Sequence, residues 1–189
     1  MGEATAHEVI PDCDDAKLSG LYIMSSKTAN FPTLIPNGQY SLLRVSARTS
    51  DEILQEVFCC GISDQYDFSA VRSYENSGSW SPWEYINPSM QLGIEYRTTE
   101  RFMGSPVYVK LVDFGALPDN TQKDVRVLDS GIMEYGIDLK MITDNKQAFK
   151  QANGITTQVL QNGGITVVTN YNLSNVKVYF LIKYTKTTD

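Results

Sequence analysis

The carboxylates Asp64, Asp67, Glu75, Glu84, Glu100 and Asp113 are of the type that supplies the acid and base of glycoside hydrolysis. That chemistry needs two carboxyl groups at a fixed separation, and the spacing here singles out no pair. Nucleophilic catalysis fares no better. The one histidine, His7, sits in a small-residue, acidic N-terminal stretch, so no serine or cysteine has an imidazole base at hand. The three cysteines, Cys13, Cys59 and Cys60, have no zinc spacing, and no glycine-rich phosphate loop or EF-hand pattern occurs. Neighbouring side chains of a strand point to opposite faces, so Cys59 and Cys60 are expected to stay reduced. The expectation is a chain without enzymatic activity, metal or cofactor.

Binding chemistry is better represented. Eleven tyrosines accompany many serines, threonines and asparagines, a mixture of rigid amphipathic rings and adaptable hydrogen-bonding groups. The same residues also suit β-strands, and both readings stand. The segment "GSWSPWEYINPS", residues 78–89, holds both tryptophans. Indole rings can stack on sugar faces, or they can close the core of a small β module. Trp80 and Trp83 are an odd number of residues apart, so an unbroken strand would send them to opposite faces. One ring would then anchor the core and the other would be partly exposed. A bulge at Pro82 would change that.

These residues must be positioned by short strands. The length of 189 residues fits one large or two small domains, and such a chain buries roughly two-thirds of its unfolded surface without needing disulfide or metal staples. The net charge of -6 and the lack of a basic face argue against nucleic acid as the main partner. No apolar run approaches the roughly 20 residues of a membrane span, and no signal-peptide core is present. "MGEATA" begins like a myristoylation site but has Ala6 where Ser or Thr is required. The expectation is a soluble chain made in the cytosol, with no membrane insertion.

Residues 1–15 read as a flexible acidic arm. Strands follow in "SGLYIMS", "YSLLRVSAR", "ILQEVFCCGI", "FSAVRSY" and "WSPWEYI", with a turn at Pro36–Asn37. In "YSLLRVSAR", Leu43, Val45 and Ala47 alternate with Leu42, Arg44 and Ser46. The rhythm breaks between Asn87 and Gly93, which marks a domain boundary. Beyond it "GITTQVLQNGGITVVTN" is a hairpin about Asn162-Gly163-Gly164. "DNKQAFKQANG" has the residue types of a short helix or a strand. The last strand, "VKVYFLIKYT", puts Val178, Phe180, Ile182 and Tyr184 on one face and Lys177, Tyr179, Leu181 and Lys183 on the other.

Two stretches carry a family likeness. "DDAKLSGLYIMSSKTANFP" holds Gly20, Leu21 and Tyr22. The later segment follows the pattern R-x-Y … G-x-W-S-x-W through Arg72, Tyr74, Gly78, Trp80, Ser81 and Trp83. On these residues, 16–89 resemble the knob-like modules of R-type pyocin and phage tail fibres. "GSPVYVKLVDFGALPDNT", residues 104–121, and the ending "IKYTKTTD" resemble a C-terminal module of phage tail and receptor-binding proteins. Relatives often carry V-x-H-G-I after the turn. Here "DVRVLDSGI" stands instead, so any role of that histidine does not transfer.

The resemblance implies an all-β fold with minor helix, made of an arm over 1–15, a knob-like module over 16–90 and a β-sandwich tip over 91–189. It implies a virion tail fibre made in the host bacterial cytoplasm. Its partners would be an upstream fibre or baseplate protein and a bacterial surface polysaccharide or glycan. Trp83, Tyr135 and Tyr171 are the candidate ligand contacts, though each can equally be a packing residue. Tyr179 and Leu181 are candidate contacts of a parallel homotrimer, because a lone domain would leave both facing water. A second sheet or helix of the same chain would cover them as well. The rival functions are a capsule depolymerase, for which no β-helix repeat or carboxylate cleft is seen, and a purely structural fibre segment.

Overall fold

Alternating small clusters of apolar and polar residues, with no sustained helical period, give strands throughout. The computed structural model describes residues 9–25, 27–34, 41–59, 69–75, 78–129, 131–144, 148–149, 154–160 and 162–188. Among them no helix occurs, and the fold is all-β. The chain divides into two compact units, Met1–Ser89 and Met90–Asp189.

In the first unit β1 (Gly20–Met24), β2 (Ser41–Thr49), β3 (Glu52–Cys59), β4 (Ser69–Glu75) and β6 (Glu84–Ile86) form an antiparallel sheet in that order, and β5 (Ser79–Trp80) also pairs with β4. The period of two decides what is buried. Leu43 and Val45 of β2 lie on the inner face with Ile53 and Val57 of β3 and Ala70 of β4, all 3% exposed or less. On the outer face Arg44 pairs with Glu56, while Leu21, Leu54, Phe58 and Ile86 stay partly exposed. The inner face also carries two polar residues in register with the apolar ones, Gln55 and Arg72.

The arm expected over residues 1–15 is packed from Val9 onward. Val9 bridges to Ile23 and Asp12 to Ala29, Thr28 Oγ1 donates to the Ile10 carbonyl, and Cys13 and Ala16 are buried. Its composition imitates a linker because it contributes small side chains and backbone groups rather than large apolar ones. His7, the Pro36–Asn37 turn, Cys60, Asp64 and Asp67 lie outside the described residues.

The second unit is a sandwich. β7 (Glu95–Phe102), β8 (Ser105–Ala116), β14 (Lys177–Lys186), β10 (Met133–Thr143) and β11 (Ala148–Phe149) make one antiparallel sheet in the order β7-β8-β14-β10-β11. β12 (Ile155–Val159), β13 (Gly164–Thr169) and β9 (Gln122–Arg126) make a second, three-stranded one. The core lies between them, where Val178, Phe180, Ile182 and Tyr184 meet Ile165 and Val167 of β13. Phe114 meets Phe180 edge-on at 5.4 Å. The opposite face of β14 holds Tyr179 and Leu181, both partly buried. Of the segment that suited helix or strand equally, Ala148–Phe149 is a strand paired with β10.

The end of this core is closed by Glu95. Its carboxylate accepts from the Tyr184 hydroxyl and pairs with Lys186. The Lys186 ammonium also sits 4.1 Å from the centre of the Tyr108 ring. Burial, reinforced by the Glu95 carboxylate, pushes the Tyr184 phenol well above its usual range.

The β12–β13 hairpin forms where Asn162-Gly163-Gly164 placed it, with Val159 opposite Ile165. Gly163 has φ 80°, and a Cβ there would stand 2.7 Å from the Leu128 carbonyl oxygen. Gly163→Ala combines left-handed strain with overpacking, so it should destabilise the unit by about 2 kcal/mol or more. A urea midpoint unchanged from wild type would refute this account of the turn.

Candidate functional site

Arg72 organises the first unit. Strand alternation turns it inward from β4 between Ala70 and Tyr74, and its side chain is 5% exposed. A buried cation costs several kcal/mol unless it is paired and hydrogen-bonded. Here Nε donates to Gln55 Oε1 at 2.9 Å, and Nη2 lies 2.7 Å from Asp14 Oδ1, close but poorly aligned for a hydrogen bond. Both tryptophan rings lie against the guanidinium. Its carbon is 4.3 Å from the Trp80 ring centre and 4.4 Å from that of Trp83. Such contacts contribute most when desolvated. Burial pulls the Arg72 pKa down, and Asp14 opposes it.

The tryptophans therefore do not face opposite ways. β5 ends at Trp80, residues 81–83 leave the strand geometry, and β6 restarts at Glu84. Pro82 has no N–H to continue the ladder, and the break lets Trp83 turn back onto the cation that Trp80 already covers. Trp83 Nε1 donates to the Asn30 carbonyl at 3.0 Å, whereas Trp80 Nε1 is buried without a hydrogen-bond partner. Tyr74 extends the stack, 5.1 Å from Trp80, with the Lys17 ammonium 4.2 Å from its centre.

The partners reach into the N-terminal segment. Gln55 Nε2 donates to the carbonyls of Cys13 at 2.6 Å and Ala16 at 3.0 Å. Asp12 accepts from the Asp14 backbone and from Asn30, which hold its carboxyl below the usual range. Burial pushes the neighbouring Cys13 thiol up to about 12. In front of this cluster is an open concavity of about 590 Å³, lined by Trp80, Trp83, Pro82, Ser81, Asn30 and Asp14 among others.

The remaining candidates lie in the second unit. Tyr135 is 45% exposed, its ring 5.7 Å from that of Phe102, and it lines a groove between β10 and β12. Tyr171 is equally exposed and lies over Gly154, where a Cβ would come within 2.4 Å of the ring. It does not line that groove. Of the carboxylates, Glu100 is held by Lys183 and Asp113 by Lys177, and this lysine lowers the Asp113 pKa. A general acid needs the opposite shift. Among the described residues no group of three or more histidine, cysteine or acidic side chains could hold a metal. Sequence reasoning passed over Arg72, Gln55 and Asp14 as site residues. The available signal was polar residues in an apolar register: Gln55 between Ile53 and Val57, and Arg72 after Ala70.

The chain matches no protein-family profile and no curated protein. It is similar to an N-truncated R2-type pyocin tail fibre at 10% identity and a TM-score of 0.32, over 93% of this chain and 94% of that one. It is also similar to an R1 pyocin fibre fragment from P. aeruginosa at 11% identity and a TM-score of 0.33, over 94% of this chain and 66% of that one. An R2 pyocin fibre fragment from P. aeruginosa gives 11% and 0.32, over 93% and 64%. Likeness at this level carries no argument about function.

Two outcomes follow from the Arg72 cluster. Arg72→Met should cost about 2–3 kcal/mol in urea unfolding, because Gln55 and Asp14 lose their buried partner; a loss below 1 kcal/mol would refute the node. With Cys59→Ser and Cys60→Ser in place, Cys13 should resist a thiol reagent at pH 8 until the chain unfolds. Because the unfolded thiol ionises near its ordinary value and the folded one only near 12, its contribution to stability should fall as pH rises through that window.

Proposed function

We propose that the chain is a receptor-binding part of a phage or phage-like tail fibre, and that it attaches to a bacterial surface glycan without cleaving it. The observation that carries the glycan reading is the concavity of the first unit. Two indoles and a proline wall it, and Ser81, Asn30 and Asp14 supply hydrogen-bonding groups at its rim. Apolar ring faces beside a few polar groups suit a sugar, with its C–H face and its hydroxyl edge. Among the described lining residues Asp14 is the one carboxylate, and it is engaged by Arg72, which favours binding over hydrolysis. The fibre context is supported by the tail-fibre motifs around Gly20–Tyr22, Arg72–Trp83 and residues 104–121.

A homotrimer belongs to the same reading, joined through the outer face of β14 at Tyr179 and Leu181. Three weak sites at one tip would engage a repetitive glycan together. Light scattering should give three times the chain mass, and Tyr179→Glu with Leu181→Glu should dissociate the assembly. A monomer at micromolar concentration, or a double variant that stays trimeric, would count against it.

A whole-cell adsorption and glycan-binding screen tests attachment. Trp83→Ala should weaken binding about tenfold or more, as loss of an aromatic anchor does. New reducing ends on incubation with capsule would replace this reading with the depolymerase. Failure to adsorb to any cell or glycan would leave a structural fibre segment.

A further inference from the structure

The second unit holds a groove of about 440 Å³ between β10 and β12, within the size range of small-ligand sites. It lies where the sandwich is open. β12 is an edge strand of its sheet, and over Met133–Leu139 the described residues pair β10 on one side only, with β14. Register shifts between Met133 and Tyr135 and between Gly136 and Asp138 break the regular spacing of that edge. An added peptide strand needs an even ladder, so the bulges disfavour it and leave recognition to side chains.

Those side chains are an aromatic platform beside two carboxylates. Tyr135 is 45% exposed and is braced from one side by Phe102. Glu134, Asp138, Thr157 and Gln158 line the same groove, and their side chains make no hydrogen bond or ion pair among the described residues. The lysine opposite Asp138 in register, Lys183, is turned to Glu100 instead, at 2.6 and 2.9 Å. Among the described residues no lysine or arginine forms an ion pair with Glu134 or Asp138, in a chain whose net charge is -6. Such a groove repels carboxylated or phosphorylated ligands and attracts ammonium groups and hydroxyl donors, which carboxylates and an amide accept.

We propose that this groove is a second saccharide site, selective for amine-bearing sugars: Tyr135 takes the ring face while Glu134 and Asp138 take the ammonium and hydroxyls. The proposal rests on the reading of the chain as a glycan binder but uses none of the residues of the first unit.

Titration calorimetry on the full chain tests it, with glucosamine oligomers, N-acetylglucosamine oligomers and oligogalacturonate as probes. Glucosamine oligomers should bind, more weakly as salt rises, and oligogalacturonate should not. Tyr135→Ala and the near-isosteric pair Glu134→Gln with Asp138→Asn should each weaken glucosamine binding about tenfold. The second variant keeps the test valid if the first fails to fold. The proposal is overturned if wild type does not bind glucosamine oligomers, if oligogalacturonate or the N-acetylated oligomer binds as well, or if neither groove variant weakens binding. Loss in Trp83→Ala alone would move the sugar to the first unit, sinking this site while sparing the glycan reading.

Discussion

A single guanidinium decides the architecture of the first unit. Removing a cation from water is costly unless opposite charge and close partners compensate it, and the partners of Arg72 come from four places in the chain: Asp14 from the N-terminal segment, Gln55 from β3, Trp80 from β5 and Trp83 from the stretch after it. None of these can shift without stranding the charge. The requirement explains why an acidic, small-residue segment lies against the sheet, and why the closing strand is interrupted rather than straight. Gln55 extends the same demand by one step, since its amide spans Arg72 and the backbone carbonyls of Cys13 and Ala16.

The second unit solves the burial problem differently. Its interior is aromatic and aliphatic, and polar groups are met at its end, where Glu95 collects the Tyr184 hydroxyl and the Lys186 ammonium. β7 and β14 are not neighbours, because β8 lies between them. The carboxylate thus ties strands that share no backbone hydrogen bond, and it does so at residues of the "IKYTK" ending. Two side chains of that ending thus answer to one acceptor.

Much of this was legible beforehand for a simple reason: the period of two needs only local residues. Leu43 and Val45 inward, Phe180 and Ile182 inward, and the turn at Gly163 all follow from neighbours in the chain. The Arg72 node does not, since Asp14 and Trp83 are brought together only by the completed sheet. The tryptophans show the limit plainly. Their odd spacing would separate them on a regular strand, and it was the loss of strand geometry after Trp80 that put them on one cation. Packing of residues 9–16 was illegible for a related reason, because its contribution is backbone carbonyls, which composition does not display.

The clamp also gives the chain an unusual optical property. Both of its indoles are stacked on one guanidinium, so every tryptophan photon the molecule emits originates at the same few ångströms of the first unit. The second unit, with tyrosines alone, is dark in that band. Intrinsic emission therefore acts as a reporter of one place rather than an average over the whole, and events confined to the sandwich can be separated from it without attaching any dye.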